Sequence, residues 1–198
     1  MNGRMFSLLR PLLFRLDPER AHHLTLSLVS RMPPPALDDF DPVLRTDFAG
    51  LSFPSPIGLA AGFDKDALVW RQMLGFGFGF AEVGTLTPLP QQGNPRPRIF
   101  RLMEDEAVIN RLGFNNGGVE AAMPRIRPHA RLGVNVGANK DSADRIADYA
   151  AMTRTMAPLA TYLTVNISSP NTPGLRALQD EGALAELLDA VIEARGAL

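Results

Sequence analysis

Residues 162–179 read YLTVNISSPNTPGLRALQ, in which an apolar run ends abruptly in a polar loop. The β-branched residues near the start of this stretch favour a buried strand. Five amide and hydroxyl side chains follow between residues 166 and 172, and Pro170 and Pro173 restrict the backbone that carries them. Burying an amide is unfavourable by a few kcal/mol unless it is hydrogen-bonded, so a purely structural loop would rarely collect this many polar groups. We therefore predict that a strand ends here in a ligand-binding loop.

The alternation of strand and helix extends through the chain beyond residue 50. Four short apolar segments predict strands, at 57–60, 78–83, 132–136 and 162–167. Helical patterns follow three of them, at 64–74, 142–158 and 180–195. This alternation is typical of right-handed βαβ units, so it predicts an α/β fold with a parallel sheet. The intervening segment 85–128 is too long for a simple crossover, and residues 98–102 and 107–110 within it predict a small hairpin.

The first 31 residues are predicted to form amphipathic helices. Five leucines between residues 8 and 16 follow helical spacing, and Asp17 and Pro18 are typical of an N-cap and a first helical position. Five arginines against two acidic residues make this segment basic. Residues 32–35, Met-Pro-Pro-Pro, predict a stiff linker. We therefore expect a helical extension at 1–40 and a main domain at 41–198.

Composition argues against several classes of function. The 198 residues carry a net charge of −1, which provides no electrostatic footprint for nucleic acid. The chain has no cysteine, which excludes disulfides, thiolate metal sites and a cysteine nucleophile, and its three histidines do not favour a histidine metal site. No stretch approaches the roughly 18 apolar residues of a membrane-spanning helix. We expect neither a bound metal nor a nucleic-acid partner.

Polar residues collect where the predicted strands end. Lys65 follows the first strand and Thr85 the second, while Asn135 and Asn166 lie at the ends of the third and fourth. The carboxyl ends of parallel strands meet at one edge of a sheet or barrel, which is where ligands bind. Glycines occur at the same points, and a residue without a side chain lets the backbone approach a flat ligand closely. These glycines are Gly62, Gly84 and Gly137.

Seven asparagines are candidates for one pocket at this edge. An asparagine amide both donates and accepts hydrogen bonds, which suits a ring with amide or imide edges. Lys65 would add one positive charge for an anionic group, and Ser169 is a candidate to move a proton if its surroundings activate it. The asparagines are Asn110, Asn115, Asn116, Asn135, Asn139, Asn166 and Asn171.

Each of these residues also has a structural interpretation. An asparagine is a common turn residue, Ser169 alone is an ordinary loop residue, and Lys65 between two aspartates fits a solvated ion pair. The functional interpretation is favoured because polar side chains of this kind follow every predicted strand. Paired carboxylates, a metal cluster and a Ser-His-Asp set are not evident in the sequence. That pattern favours cofactor chemistry, in which the protein supplies position and polarity.

Six sequence motifs resemble those of the dihydroorotate dehydrogenase family. The likeness begins at LDPERAH (16–22) and continues to about residue 180. A serine within NISSPNTPG, together with a helical N-terminal extension, resembles the quinone-linked, membrane-associated class, whereas the soluble class carries a cysteine as the base. The six motifs are GLAAGFDKDA (58–67), EVGTLTP (82–88), NPRPRIFRL (94–102), INRLGFNNGG (109–118), GVNVGANKD (133–141) and NISSPNTPGLRALQ (166–179).

This resemblance implies an FMN-containing (β/α)₈ TIM barrel that oxidises dihydroorotate to orotate in pyrimidine synthesis. It assigns Ser169 as the base that removes a proton from C5 while hydride leaves C6 for the flavin. The residues implied to contact FMN are Ala61, Gly62, Phe63, Asp64, Lys65, Thr85, Asn135 and Asn166. Those implied to hold dihydroorotate are Lys65, Asn110, Arg111, Leu112, Gly113, Phe114, Asn166 and Asn171.

The resemblance also implies a quinone that enters between the two N-terminal helices and takes up the electrons. Arginines around an apolar stripe suit an interfacial helix, so we expect peripheral attachment to the cytoplasmic side of a bacterial inner membrane. A full barrel takes about 250 residues, so we expect only the first half of it here. Two alternatives remain open: a related flavin barrel that acts on another pyrimidine, and an inactive half-barrel or assembly subunit.

Overall fold

A computed structural model describes residues 10–34, 36, 40–172 and 174–196. The strands are β1 (Thr46–Phe48), β2 (Leu51–Phe53), β3 (Gly58–Leu59), β4 (Phe80–Leu86), β5 (Ile99–Leu102), β6 (Ala107–Asn110), β7 (Leu132–Val136) and β8 (Tyr162–Val165). The α-helices are α1 (Pro18–Ser30), α2 (Trp70–Gly75), α3 (Val119–Ala122), α4 (Arg145–Met156) and α5 (Glu181–Gly196). Short 3₁₀ turns lie at Pro42–Leu44, Met123–Arg125 and Leu175–Gln179.

The central sheet consists of four parallel strands in the order β3-β4-β7-β8. Its order follows the chain, as expected for successive right-handed βαβ units. This arrangement confirms the predicted α/β fold and all four predicted strands, and β7 coincides with the prediction at 132–136. The second strand continues to Leu86, three residues further than predicted. The predicted hairpin is also present, as antiparallel β5 and β6.

The helix predicted at 64–74 is wrong over its first half. Residues 61–69 form turns, and α2 begins only at Trp70. The Asp64 carboxylate accepts hydrogen bonds from the backbone N–H groups of Leu68 and Val69 at 2.6 and 2.7 Å, which favours a turn over a continuous helix. Ala67 in addition has a φ of +56°, a conformation that a helix cannot contain.

Two other helices begin at an aspartate N-cap. The Asp17 carboxylate accepts a hydrogen bond from the backbone N–H of Arg20 at 2.9 Å, which confirms the predicted start of α1. Asp144 caps α4 in the same way through the N–H of Ala147, so this helix starts three residues later than predicted. The predicted leucines 8 and 9 lie outside the described residues.

The main core lies between the central sheet and helices α4 and α5. Every residue of β7 is buried, as expected for a central strand covered on both faces. Tyr149, Met152 and Met156 of α4 and Leu187 of α5 are fully buried in the same cluster. On the opposite face of the sheet, Phe53 lies 4.8 Å from the Phe80 ring and 6.2 Å from the Tyr162 ring. The β1–β2 hairpin, which was not predicted, carries Phe53 to that position.

Helix α1 packs against the main domain. Leu26 and Val29 form a small cluster with Val69 and Met73 beside α2. Among the described residues, no helix has both the length and the apolar character needed to cross a membrane.

Candidate active site

Three polar side chains from adjacent parallel strands meet in one hydrogen-bonded group, which we call the strand-end cluster: Thr85, Asn135 and Asn166. The Thr85 hydroxyl donates to Asn135 Oδ1 at 2.7 Å. Asn166 Nδ2 lies 3.1 Å from both Thr85 Oγ1 and Asn135 Oδ1. Asn135 Nδ2 donates to Glu82 Oε1 at 2.8 Å. The predicted convergence of the strand ends is therefore present at β4, β7 and β8.

The loop at 61–65 lies beside this cluster. The Gly62 N–H donates to the Gly84 carbonyl at 2.8 Å, and the Gly84 N–H donates to the Asp64 carbonyl at 3.0 Å. Gly62 has a φ of +99° and open space where a Cβ would stand, so the backbone is exposed to a ligand at this point. The Lys65 ammonium donates to the Gly62 carbonyl at 2.7 Å, and burial lowers its pKa.

The Asp64 side chain has a structural role. It is fully buried and accepts the two backbone hydrogen bonds that shape the turn before α2. Burial raises the pKa of this carboxyl group. Its backbone carbonyl, in contrast, accepts from Gly84 and so helps to hold the loop against the cluster.

The segment 110–114 borders the same region through Phe114. A Cβ at Gly137 would approach both Thr85 Cγ2, at 2.7 Å, and the Phe114 ring, at 3.1 Å. Phe114 therefore lies next to the strand-end cluster. Arg111 points elsewhere: its guanidinium donates to the Pro97 carbonyl at 2.9 and 3.2 Å. Asn110 is exposed at the end of β6.

Ser169 is buried in the loop after β8, and its hydroxyl oxygen receives two hydrogen bonds. The Asn171 N–H donates to Ser169 Oγ at 3.2 Å, and the Thr172 hydroxyl donates to it at 3.4 Å. Donors aimed at an oxygen favour a negative charge on it. Thr172 is one of the five polar residues of the predicted ligand-binding loop, but its contact with Ser169 was not predicted. Its position three residues after Ser169, in the same polar loop, is the only signal that the sequence carries.

The expectation that all seven asparagines line one pocket is wrong for two of them. Asn116 donates to the Thr87 hydroxyl and the Phe114 carbonyl and accepts from the Gly118 N–H. Asn139 Oδ1 accepts a hydrogen bond from the Leu89 N–H, and Asn139 Nδ2 donates one to the Leu89 carbonyl. These two amides hold turns in place, as the structural interpretation allowed.

Helix α1 reaches the edge of the site through His22. Its ring lies 5.2 Å from the Phe63 ring, in the loop at 61–65. Burial, with a smaller contribution from the Lys65 charge, lowers the pKa of His22 to about 4, so the ring is neutral at pH 7. A cavity of about 50 Å³ between α1 and this loop is lined by His22, Lys65 and Asn115. Asn115 Oδ1 is buried and has no hydrogen-bond partner among the described residues.

Taken together, these groups provide amide and hydroxyl donors and acceptors, one ammonium and one buried serine hydroxyl, with the Glu82 carboxylate hydrogen-bonded to Asn135. Such a surface suits a flat polar ring that carries a single anionic group.

Comparison with known proteins identifies close relatives. Residues 43–197 match the family model described as dihydroorotate dehydrogenase. A Novosphingobium aromaticivorans protein named dihydroorotate dehydrogenase (quinone) is 62% identical, over 96% of this chain and 57% of its own length. The protein of the same name from Sphingopyxis alaskensis is 63% identical, over 97% of this chain and 56% of its own length. This chain therefore spans a little over half the length of these relatives.

A solved structure shares the fold. The crystal structure of DHODH from Eimeria tenella in complex with ferulenol has a TM-score of 0.83 and 42% sequence identity. The match covers 92% of this chain and 53% of that one.

Proposed function

This chain belongs to the dihydroorotate dehydrogenase family, and we propose that the protein oxidises dihydroorotate to orotate in pyrimidine biosynthesis, with a quinone as the electron acceptor. The observation that carries the proposal is the strand-end cluster with Lys65 beside it. An uncharged hydrogen-bonding surface next to a single ammonium matches a carboxylated pyrimidine ring.

The fold is an α/β fold of the TIM-barrel family to which these enzymes belong, and the four described parallel strands form an open sheet. We propose that they are the first half of a (β/α)₈ barrel in the main domain, 41–198, preceded by the extension at 1–40. Two features support this: the sheet order follows the chain, and the relatives are nearly twice as long.

The family is flavin-dependent, and the residues at the strand ends fit FMN. The open backbone at Gly62 leaves room for a flat ring, and the cluster offers amide and hydroxyl groups to its polar edge. When bound, FMN would supply the hydride acceptor. The residues proposed to hold it are the loop Ala61–Gly62–Phe63–Asp64–Lys65 together with Thr85, Asn135 and Asn166.

Dihydroorotate would bind with its carboxylate near the Lys65 ammonium. Because Lys65 is partly buried, its attraction to a carboxylate is stronger than at an exposed position. Asn166 and Asn171 would present amides to the ring, and the segment 110–114 would close one side of the pocket with Phe114.

Having first released its own hydroxyl proton to solvent, Ser169 would act as an alkoxide and take the proton from C5 of the substrate. Its hydroxyl receives hydrogen bonds from the Asn171 N–H and the Thr172 hydroxyl, and both stabilise negative charge on Oγ. The hydroxyl is also buried, which keeps water from competing for that proton.

Replacing Ser169 tests this assignment. In the full-length enzyme, Ser169→Ala should lower dihydroorotate-dependent dye reduction by about 10²–10⁴-fold, the usual effect of losing a general base. Flavin absorbance should be retained, because the strand-end cluster is unchanged. Ser52→Ala, the same substitution at an exposed serine of β2, is the matched control and should retain most of the activity. Unchanged turnover in Ser169→Ala would show that another group takes the proton.

We also propose that α1 attaches the protein to the cytoplasmic face of a bacterial inner membrane. Leu24 and Leu28 on this helix are 44% and 55% exposed, and Arg20 and Arg31 are exposed nearby. An apolar face flanked by arginines suits anionic lipid, from which a quinone would enter.

A double substitution on α1 tests the membrane assignment. Leu24→Ser with Leu28→Ser should reduce co-flotation with phosphatidylglycerol vesicles by about tenfold or more, given the apolar area lost. Val43→Ser, at a valine that is 80% exposed but lies outside α1, is the control and should float like the unaltered enzyme. Equal flotation of all three proteins would exclude α1 as the attachment surface.

A further inference from the structure

Asn94 lies between the two segments assigned above to dihydroorotate, and we propose that it is a positioning residue for that substrate. The inference rests on the proposed function. Asn94 belongs to the loop between β4 and β5 and is not among the residues assigned to the cofactor or the substrate.

The Asn94 side chain bridges both substrate segments. Its Nδ2 donates to the Arg111 carbonyl at 3.0 Å and to the Asn171 carbonyl at 3.4 Å. Its backbone N–H donates to the Leu112 carbonyl at 3.0 Å. One residue therefore joins the segment 110–114 to the loop that follows β8, although 77 residues separate Asn94 from Asn171.

The amide group suits this role because it carries two N–H donors. Each donor faces a backbone carbonyl that belongs to a different segment. An aspartate of the same shape would present only acceptors to those carbonyls and would repel them. The space is also closed: a Cβ at Gly113 would stand 3.0 Å from the Asn94 amide, and Gly113 itself has a φ of +72°.

Asn94 is held from its other side by a buried ion pair. Arg98 Nη1 donates to the Asn94 carbonyl at 2.9 Å and to the Gln92 carbonyl at 2.6 Å. The remaining donors of Arg98 bond the Glu19 carboxylate of α1, the shortest at 2.6 Å. Both side chains of this pair are buried. A continuous set of contacts therefore runs from α1 through Arg98 and Asn94 to the two substrate segments.

These contacts assign Asn94 to positioning rather than to chemistry. Without its amide donors, the two segments would lose their shared contact and their spacing would relax. The predicted consequence is weaker dihydroorotate binding, with a much smaller effect on the chemical step.

The test is Asn94→Asp in the full-length enzyme. We expect the KM for dihydroorotate to rise by about tenfold or more, as for the loss of two hydrogen bonds. The dissociation constant of orotate, measured by calorimetry, should rise in parallel. The kcat should stay within about threefold, and flavin content and the KM for quinone should not change.

Asn139→Asp is the matched control. The Asn139 amide bonds the Leu89 backbone and the Gln91 side chain, but it hydrogen-bonds neither Arg111 nor Asn171, the two residues that Asn94 joins. This control should leave the KM for dihydroorotate unchanged. If Asn94→Asp loses flavin, Asn94→Ser, which lacks the reach but adds no charge, replaces it in the same measurements. The inference would be overturned if the variant that retains flavin has an unchanged KM for dihydroorotate and an unchanged affinity for orotate. Loss of flavin from both variants would overturn it as well. Absence of dihydroorotate oxidation by the unaltered enzyme would instead overturn the proposed function.

Discussion

The strand-end cluster and the contact between α1 and Arg98 are built from opposite kinds of groups. Thr85, Asn135 and Asn166 interact as neutral amides and a hydroxyl across three parallel strands. Glu19 and Arg98 interact as full charges, and both are about 5% exposed. The pKa of Glu19 is lowered to about 2, and the largest cause is its hydrogen bond with the Arg98 guanidinium. Burial acts in the opposite direction, and a hydrogen bond with Arg96 lowers the pKa further.

This difference follows from what each region has to do. A surface proposed to meet the uncharged edges of a ring is built mainly from amides and hydroxyls. The two charges near it, Glu82 and Lys65, are each hydrogen-bonded, because an uncompensated buried charge would be strongly unfavourable. A helix that docks at one defined position gains specificity from a buried ion pair, because only one arrangement satisfies both charges. We therefore expect the two regions to respond differently to substitution.

Glu19→Gln should have the largest effect on stability. It keeps the shape of the side chain but leaves the Arg98 guanidinium buried without its counter-charge. Breaking a buried pair in this way typically costs about 3–5 kcal/mol, so the free energy of unfolding of the full-length enzyme in urea should fall by that order.

The matched control for Glu19 is Glu106→Gln. Glu106 pairs with Arg10 at 3.3 Å, and both side chains are well exposed. An exposed pair contributes about 0–1 kcal/mol, so this variant should unfold close to the unaltered enzyme. Equal loss of stability in the two variants would break the comparison, because it would mean that the burial of the Glu19 pair has no energetic consequence.

The sequence predicted those parts of the fold that depend on local patterns. The β7 strand and the β5–β6 hairpin follow from apolar runs, and the start of α1 follows from Asp17 and Pro18. The turns at 61–69 were missed because they depend on where the Asp64 carboxylate points, which a helical pattern does not reveal. Composition likewise could not distinguish asparagines that face a site from those, such as Asn139, that bond a neighbouring loop.

The connection through Asn94 and Arg98 was also beyond sequence reasoning. Glu19 and Arg98 are 79 residues apart, and an arginine in a Pro-rich segment is ordinarily solvated. Only the packing of α1 against the hairpin buries both side chains and makes their charges matter. By contrast, Thr85, Asn135 and Asn166 were predictable, since the ends of parallel strands must share an edge.

Lys65 is where the two regions meet, and its replacement should have a smaller effect than that of Glu19. It hydrogen-bonds the loop beside the strand-end cluster. Burial lowers its pKa, although the charges of Asp66 and Glu19 act in the opposite direction. Lys65→Gln in the full-length enzyme should raise the KM for dihydroorotate by about a hundredfold, as expected for losing a charged hydrogen bond. Lys140→Gln, at the other lysine of the chain and on an exposed side chain, should leave the KM unchanged.

A second substrate, dihydrouracil, lacks the carboxylate and so tests whether the Lys65 effect depends on that group. If Lys65 binds that carboxylate, Lys65→Gln should lose the preference for dihydroorotate over dihydrouracil. An enzyme for uncharged pyrimidines would instead use dihydroorotate and dihydrouracil equally well, with lysine or with glutamine at position 65.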